Sequence, residues 1–155
     1  MYNLETRQLI RTSMDEAWEF FSNPENLSRI TPPEMGFSIL NKSGDSIYPG
    51  MIISYRVKPA LGIPLTWVTE ITHVKDRSYF VDEQRIGPYR LWHHQHHFRE
   101  TDQGIEIHDR VNYAPPAGVL GSIMNSLFIR KKLENIFQYR KLKVDEIFGQ
   151  GPGSQ

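Results

Sequence analysis

The feature that most limits the possible folds of this chain is a long run of strand signals with only short breaks. From about residue 36 to residue 113, alternating and apolar segments are separated by turns such as Lys75-Asp76-Arg77, Gly87-Pro88 and Asp102-Gln103-Gly104. Parallel strands need crossover connections of about a dozen residues or more, which these breaks do not provide. The pattern therefore predicts an antiparallel meander of six consecutive strands.

Two short helices are predicted between a first strand and this meander. Residues 2–11 alternate as a strand, and Ser13 and Glu16 have the spacing of a capping box, which begins a helix. Asn23-Pro24 supplies the cap and the first residue of a second short helix, and Pro32-Pro33 ends it. The first strand brings the expected sheet to about seven strands.

One long helix is predicted after the sheet. Apolar residues with helical spacing run from Val119 to about Ile147, after Pro115-Pro116 ends the last strand. The apolar face of a curved antiparallel sheet must be buried, and a single amphipathic helix that packs across this face can bury it. We therefore predict an α+β fold in which the sheet wraps around the C-terminal helix. The space between sheet and helix is the natural ligand site.

The chain length suits one domain with one core. We expect that domain to span residues 1–148 and to be followed by a disordered, Gly-rich tail over residues 149–155. No stretch approaches the roughly 18 consecutive apolar residues of a membrane span, and the N-terminus lacks the plan of a signal peptide. These features predict a cytoplasmic protein without stable membrane insertion.

Composition argues against several classes of function. The 18 Lys and Arg residues balance the 18 Asp and Glu residues, so no broadly cationic surface for nucleic acid is expected. The basic residues of segments 130–132 and 140–143 are expected to lie on the solvated outer face of the last helix. The chain has no Cys, which excludes disulfides, thiolate catalysis and Cys-ligated zinc.

Strand periodicity predicts which histidines of the strand at 89–99 are buried. Side chains two residues apart share a face of a strand. The face that carries His94 and His96 also carries Trp92 and an aromatic residue at position 98, whereas His93 and His97 lie on the opposite face. We expect Trp92, His94 and His96 to be mostly buried and His93 and His97 to be more exposed.

The same reasoning, applied to every strand, gathers polar and aromatic side chains on one concave surface. This candidate ligand-binding set, with two residues from the last helix, consists of Trp67, Asp82, Gln84, Trp92, His94, His96, Asp109, Tyr113, Met124 and Phe128. A buried polar group left unpaired costs about 1–3 kcal/mol, so the polar members should pair, bind a ligand or hold water. Asp109 with His94 or His96 is the expected pairing, which would raise the imidazole pKa.

Several segments together resemble the START-like, or SRPBCC, superfamily, whose members have the helix-grip fold. They are residues 26–33, 80–84, 87–92 and 109–113, with the His94, His96 and Phe98 alternation and the following Pro116 and Gly118. That superfamily includes polyketide cyclases and dehydratases, lipid-transfer domains, plant pathogenesis-related proteins and hormone receptors. The chain is most similar to its bacterial single-domain ligand-binding proteins. The resemblance implies a small-molecule cavity, and it transfers no catalytic motif.

Three interpretations of the polar set remain open. It is a self-satisfied polar core, or it orients a small hydrophobic molecule in a pocket, or it carries out catalysis. In the catalytic case His94, His96 and Asp109 supply the general acid and base of a cofactor-independent cyclase- or dehydratase-like enzyme. We favour ligand binding over enzymatic activity. An interaction protein with a vestigial cavity is a further alternative.

A metal site at His94-x-His96, completed by Asp109 or Asp82, is the weaker expectation because no helical metal-binding motif accompanies the pair. No metal and no cofactor are therefore expected. A small hydrophobic molecule is the expected partner, and the chain is expected to be a monomer or a homodimer.

Overall fold

The computed structural model describes residues 1–58, 63–116 and 128–149. Its strands are β1 (Tyr2–Ile10), β2 (Ser38–Lys42), β3 (Met51–Val57), β4 (Leu65–Lys75), β5 (Tyr79–Ile86), β6 (Leu91–Thr101) and β7 (Gly104–Ala114). Its helices are α1 (Met14–Phe21), two 3-10 helices (Pro24–Ile30 and Pro33–Met35) and α2 (Arg130–Phe148). All strand pairs are antiparallel, in the order β1-β7-β6-β5-β4-β3-β2. The predicted α+β architecture is confirmed.

The helices between β1 and β2 begin where the sequence predicts. Both halves of the capping box between Ser13 and Glu16 are present at the start of α1. The Asn23 side chain accepts a hydrogen bond from the Glu25 backbone N–H at the start of the first 3-10 helix, with Pro24 as its first residue. These local contacts satisfy backbone donors that would otherwise lack partners.

The alternation of the strands places one face of the sheet in the core. On β7 the buried residues are the odd-numbered ones from Ile105 to Tyr113. On β4, Trp67, Thr69 and Ile71 are buried. Helix α2 packs on this face through Leu133, Phe137 and Val144. The candidate site lies between these two layers.

Two predicted features lie partly outside the described residues. The predicted long helix was expected from Val119, but residues 117–127 are not described, and the described helix begins at Arg130. The apolar segment 58–64, which contains two prolines, predicts a loop that gates the cavity or contacts a partner, and the structure describes this segment only at its ends. Among the described residues, no helix has both the length and the apolar character needed to span a bilayer.

Candidate functional site

A cavity of about 210 Å³ lies between the inner face of the sheet, the 3-10 helices and α2. One water molecule needs roughly 10–15 Å³ on the same scale, so this space admits a small organic molecule. Most of its wall is apolar or aromatic, and five members of the candidate set line it: Trp67, Asp82, Trp92, His94 and His96. Met35 of the second 3-10 helix also lines it.

One end of the cavity is an aromatic wall. The Trp67 ring lies 5.3 Å from the Trp92 ring and 5.6 Å from the Tyr89 ring, measured between centroids. Tyr55 stacks on Trp67 at 6.2 Å, and its hydroxyl forms a buried 2.6 Å hydrogen bond with Thr69. Burial raises the pKa of the Tyr55 phenol well above its ordinary range. This phenol is therefore a neutral part of the wall.

The Trp67 indole N–H is the exceptional group in this wall. Trp67 is only 8% exposed, and its Nε1 has no hydrogen-bond partner among the residues that the structure describes. Buried N–H groups are almost always paired, because a bare one loses its water without compensation. Since Trp67 lines the cavity, a molecule bound there can supply the missing acceptor.

Next to this wall lie four polar residues, which we call the His–Asp cluster: Asp82, His94 and His96, which line the cavity, and Asp109, which does not. His94 Nε2 lies 3.0 Å from Asp109 Oδ1, and His96 Nε2 lies 2.7 Å from Asp82 Oδ2. The remaining ring nitrogens complete a closed arrangement. His96 Nδ1 is 3.0 Å from Asp109 Oδ1, though without hydrogen-bond alignment, and His94 Nδ1 is 3.4 Å from Asp82 Oδ2. Each carboxylate therefore contacts both imidazoles.

Strand register creates this cluster. On β6 the alternation turns His94 and His96 inward, and their ring centroids lie 3.7 Å apart. The register places Asp82 of β5 opposite His94, and Asp109 of β7 opposite His96. Both histidines are 5% exposed. The burial prediction is confirmed for the two histidines, whereas Trp92 is only partly buried, as are His93 and His97 on the opposite face.

Arg140 supplies a positive charge that the sequence analysis assigned to the wrong place. It was expected on the solvated outer face of the helix, but its side chain is only 13% exposed and its Nη2 lies 3.9 Å from Asp109 Oδ1. Its guanidinium also lies over the Phe21 and Phe137 rings, at 5.6 and 5.9 Å. The missed signal was its position on the buried stripe of α2, three residues after Phe137 and four before Val144.

The protonation states follow from these contacts. Burial favours the neutral form of Asp109, but Arg140 and the two histidines outweigh it and hold the Asp109 pKa well below its ordinary value. The Asp82 pKa is also lowered, because the two imidazoles overcome the effect of burial. Burial and the charge of His96 lower the His94 pKa, whereas the close contacts with Asp109 and Asp82 raise the His96 pKa against burial. These shifts favour the charged form of His96 over that of His94, so that the positive groups His96 and Arg140 lie against the two carboxylates.

The other members of the candidate set are not part of the cavity lining in the described structure. Gln84 instead closes the turn before β6, because its amide donates to the Tyr89 carbonyl at 2.6 Å and accepts from the Tyr89 N–H at 3.2 Å. It thereby holds Tyr89 in the aromatic wall. Tyr113 is buried in the core, and Phe128 is 67% exposed. Met124 lies outside the described residues.

Asp109 contacts the two histidines on the side opposite Asp82. It lines a second, more polar cavity of about 500 Å³ between β1, β7 and α2, while Arg140 and Phe137 border both cavities.

Asp82, His94 and His96 each offer one donor atom within 4.8 Å of the others, a grouping that can hold a metal ion. The site thus combines an apolar wall, one bare N–H group and a compact set of nitrogen and oxygen donors.

Comparison with known proteins identifies relatives of the chain. Residues 10–137 match the model of the family described as polyketide cyclase / dehydrase and lipid transport. No curated protein matches the sequence.

Solved structures with the same fold cover nearly the whole chain. A protein of Chromobacterium violaceum is similar with a TM-score of 0.73 and 11% identity, over 96% of this chain and 99% of that one. A protein of Thermus thermophilus has a TM-score of 0.65 and 11% identity, over 94% and 99%. The di-domain ARO/CYC StfQ from the steffimycin biosynthetic pathway has a TM-score of 0.64 and 11% identity, over 95% of this chain and 52% of StfQ. At such low identity these likenesses show the fold alone.

Proposed function

Because the chain belongs to the polyketide cyclase / dehydrase and lipid transport family, we propose that it binds a small, largely apolar molecule in the cavity between the sheet and α2. The observation that carries this proposal is the Nε1–H of Trp67 at the cavity wall, which has no hydrogen-bond partner within residues 1–58, 63–116 and 128–149. In a core that binds no ligand, we would expect this donor to have a hydrogen-bond partner, or an apolar ring to stand in place of the indole. A ligand with a suitably placed oxygen removes the penalty.

The wall also indicates the chemical class of the ligand. Trp67, Tyr89 and Trp92 present ring faces and edges to the cavity, which favours a flat aromatic or conjugated body. The Trp67 N–H requires a hydrogen-bond acceptor such as a carbonyl oxygen at that end. The ligand is therefore a compact aromatic or conjugated molecule that carries at least one carbonyl or similar oxygen.

A pair of probes tests this proposal. We would compare binding of 2-acetylnaphthalene, which has a carbonyl acceptor, with binding of 2-isopropylnaphthalene, which has a similar shape and none. EDTA-treated protein is titrated with each probe, and intrinsic fluorescence is followed. We expect the wild type to prefer the ketone by up to about tenfold, since a net hydrogen bond contributes about 0.5–1.5 kcal/mol.

The variant Trp67→Phe should bind both probes with similar affinity. Trp18→Phe is the matched control, because Trp18 packs on the Phe80 and Phe98 rings and is not in the cavity lining. Failure of the wild type to bind either probe would argue against the apolar cavity as a ligand site. A ketone preference that survives in Trp67→Phe would show that the indole does not orient the ligand.

The His–Asp cluster supports a second candidate function, that of a cofactor-independent cyclase- or dehydratase-like enzyme. Two imidazoles at the cavity have pKa values shifted in opposite directions, a pattern that separates a base from an acid. The neutral His94 is the candidate base, and the protonated His96 is the candidate acid. The protein would then remove a proton next to a carbonyl group of the bound molecule.

Deuterium exchange tests the catalytic candidate without knowledge of the natural substrate. The α-protons of 1-phenyl-1,3-butanedione are followed by NMR in deuterated buffer, with wild type and Asp109→Asn. Exchange that wild type accelerates and Asp109→Asn does not would support catalysis. If probe binding is unaccompanied by acceleration, the binding function stands and the catalytic candidate is wrong.

A further inference from the structure

We propose that Asp82, His94 and His96 bind one divalent transition-metal ion, and that Asp109 orients both imidazoles from the side opposite Asp82. This inference concerns the ion alone and does not depend on the proposed binding of an organic molecule. It rests on the placement of four ring nitrogens between two carboxylates.

The donor atoms converge on the Asp82 side of the cluster. His96 Nε2 and His94 Nδ1 lie 2.7 and 3.4 Å from Asp82 Oδ2, and the three residues offer donor atoms within 4.8 Å of one another. Ligand atoms of a tetrahedral zinc ion, each about 2.0–2.2 Å from the metal, are separated by about 3.4 Å. Small side-chain rotations therefore suffice to bring two nitrogens and one oxygen around one ion.

Asp109 is placed as the outer carboxylate of such a site. Its Oδ1 lies 3.0 Å from His94 Nε2 and 3.0 Å from His96 Nδ1, the two nitrogens that face away from Asp82. Metal-binding histidines almost always donate their other N–H to a carboxylate, carbonyl or water, which fixes the ring orientation and the tautomer. Asp109 forms this hydrogen bond with the His94 ring and lies 3.0 Å from the corresponding nitrogen of the His96 ring.

The metal-free arrangement contains a contact that a cation would relieve. When His94 donates its Nε2–H to Asp109, its Nδ1 carries a lone pair and faces the Asp82 carboxylate at 3.4 Å. Two acceptors that face each other repel, and the Asp82 oxygen already accepts a hydrogen bond from His96 Nε2 at 2.7 Å. A metal ion accepts electron pairs from both atoms.

The site also has an open side. Asp82, His94 and His96 line the ligand cavity, whereas Asp109 does not. Sites with three protein ligands keep their remaining coordination position for water or substrate. The open position would therefore face the cavity, where it can take an oxygen atom of a bound molecule.

Titration of the metal-free protein with Co²⁺ alone, and separately with Zn²⁺ alone, tests the proposal. Calorimetry gives stoichiometry and affinity, and visible absorption of Co²⁺ reports its coordination. We expect one ion per chain, with intense bands from a four- or five-coordinate site. Asp109→Asn should weaken binding by about 10–100-fold, and Asp82→Asn should weaken it further because it loses a ligand.

The double variant His93→Gln/His97→Gln is the matched control, because these residues lie on the outer face of the same strand. It should bind the ion as wild type does. Circular dichroism shows whether each variant is folded. A measurement on the wild type does not depend on any variant: Zn²⁺ should shift the NMR signals of the His94 and His96 rings and leave those of His93 and His97 unchanged.

Three results would overturn the proposal: no stoichiometric binding by the wild type, loss of binding in the outer-face variant, or zinc-induced shifts confined to the outer histidines. Undiminished binding by folded Asp82→Asn would also overturn it. Since these titrations contain no organic molecule and the naphthalene experiment contains EDTA, the two proposals succeed or fail separately.

Discussion

Replacing Asp109 by Asn removes one negative charge from the interior while almost preserving the shape of the side chain. Asp109 is 6% exposed and accepts from His94, and Arg140 lies 3.9 Å from its Oδ1. At an effective dielectric constant of about 20, two unit charges at this separation interact by about 4 kcal/mol. Loss of one partner of a buried charge pair generally costs about 3–5 kcal/mol.

We therefore expect Asp109→Asn to lower the free energy of unfolding by about 3–4 kcal/mol. For a chain of this length, each kcal/mol corresponds to about 2–4 °C in Tm. Urea denaturation of metal-free protein at neutral pH, followed by circular dichroism, measures the change. The slope of the transition should stay constant if the folded state is preserved.

A double-mutant cycle with Arg140→Met separates charge from packing. Met keeps an unbranched apolar stem beside Phe21 and Phe137 but removes the cation. We expect the double variant to be more stable than additivity predicts by about 2 kcal/mol, because neither buried charge then lacks its partner. A loss below about 1 kcal/mol in Asp109→Asn, or additivity within about 0.5 kcal/mol, would refute the account of the cluster as a charge-balanced unit.

Three further predictions concern other parts of the fold. Hydrogen bonds, first from Thr12, lower the pKa of Glu16. The stability that ionised Glu16 contributes is therefore complete above its ordinary pKa of 4.5 and is lost as the pH falls through its lower pKa in the folded state. Acid titration should show that the stability difference between wild type and Glu16→Gln shrinks below that range. Gly104 has φ +132° and its added Cβ would lie 2.2 Å from the Ile10 carbonyl oxygen, whereas Gly50, at φ +89°, has no neighbour within 4 Å among the described atoms. Gly104→Ala should therefore cost about 3 kcal/mol or more and Gly50→Ala about 1 kcal/mol in urea denaturation, and equal costs would contradict this. Trp67→Phe should leave stability within about 1 kcal/mol of wild type, because removal of the bare N–H offsets the lost packing, and a larger loss in the same assay would argue against that balance.

The positions of the buried histidines were predictable from local pattern alone. On β6, side chains two residues apart share a face, so His94 and His96 had to lie together beside Phe98. The same reasoning correctly turned Asp109 inward on β7. Turns too short for parallel crossovers made the antiparallel order predictable as well.

The partners within the cluster were not predictable in this way. The sequence left open whether Asp109 pairs with His94 or His96, whereas the structure shows that Asp109 contacts both and that Asp82 contacts both from the other side. This outcome depends on the register between three strands. Register is set by the packing of the whole sheet, and no short stretch of sequence contains it.

Arg140 and Gln84 illustrate the same limit for single side chains. From sequence, a charged residue is expected in solvent and an inward-facing amide is expected to contact a ligand. Arg140 instead lies on the buried stripe of α2 against two aromatic rings, and Gln84 closes a turn. Either placement becomes visible only when the rotation of the helix and the path of the turn are known.

The sequence by itself determined the class of fold, the faces of the strands and the inward position of the two histidines, because periodicity of side-chain direction is a local property of the backbone. Tertiary structure alone decided that two carboxylates enclose these histidines and that Arg140 lies beside Asp109. It also decided that the Trp67 N–H lies at a cavity wall without a partner in the part of the chain that the structure describes. These features arise from distances between segments far apart in the chain, and packing of the sheet against α2 sets those distances.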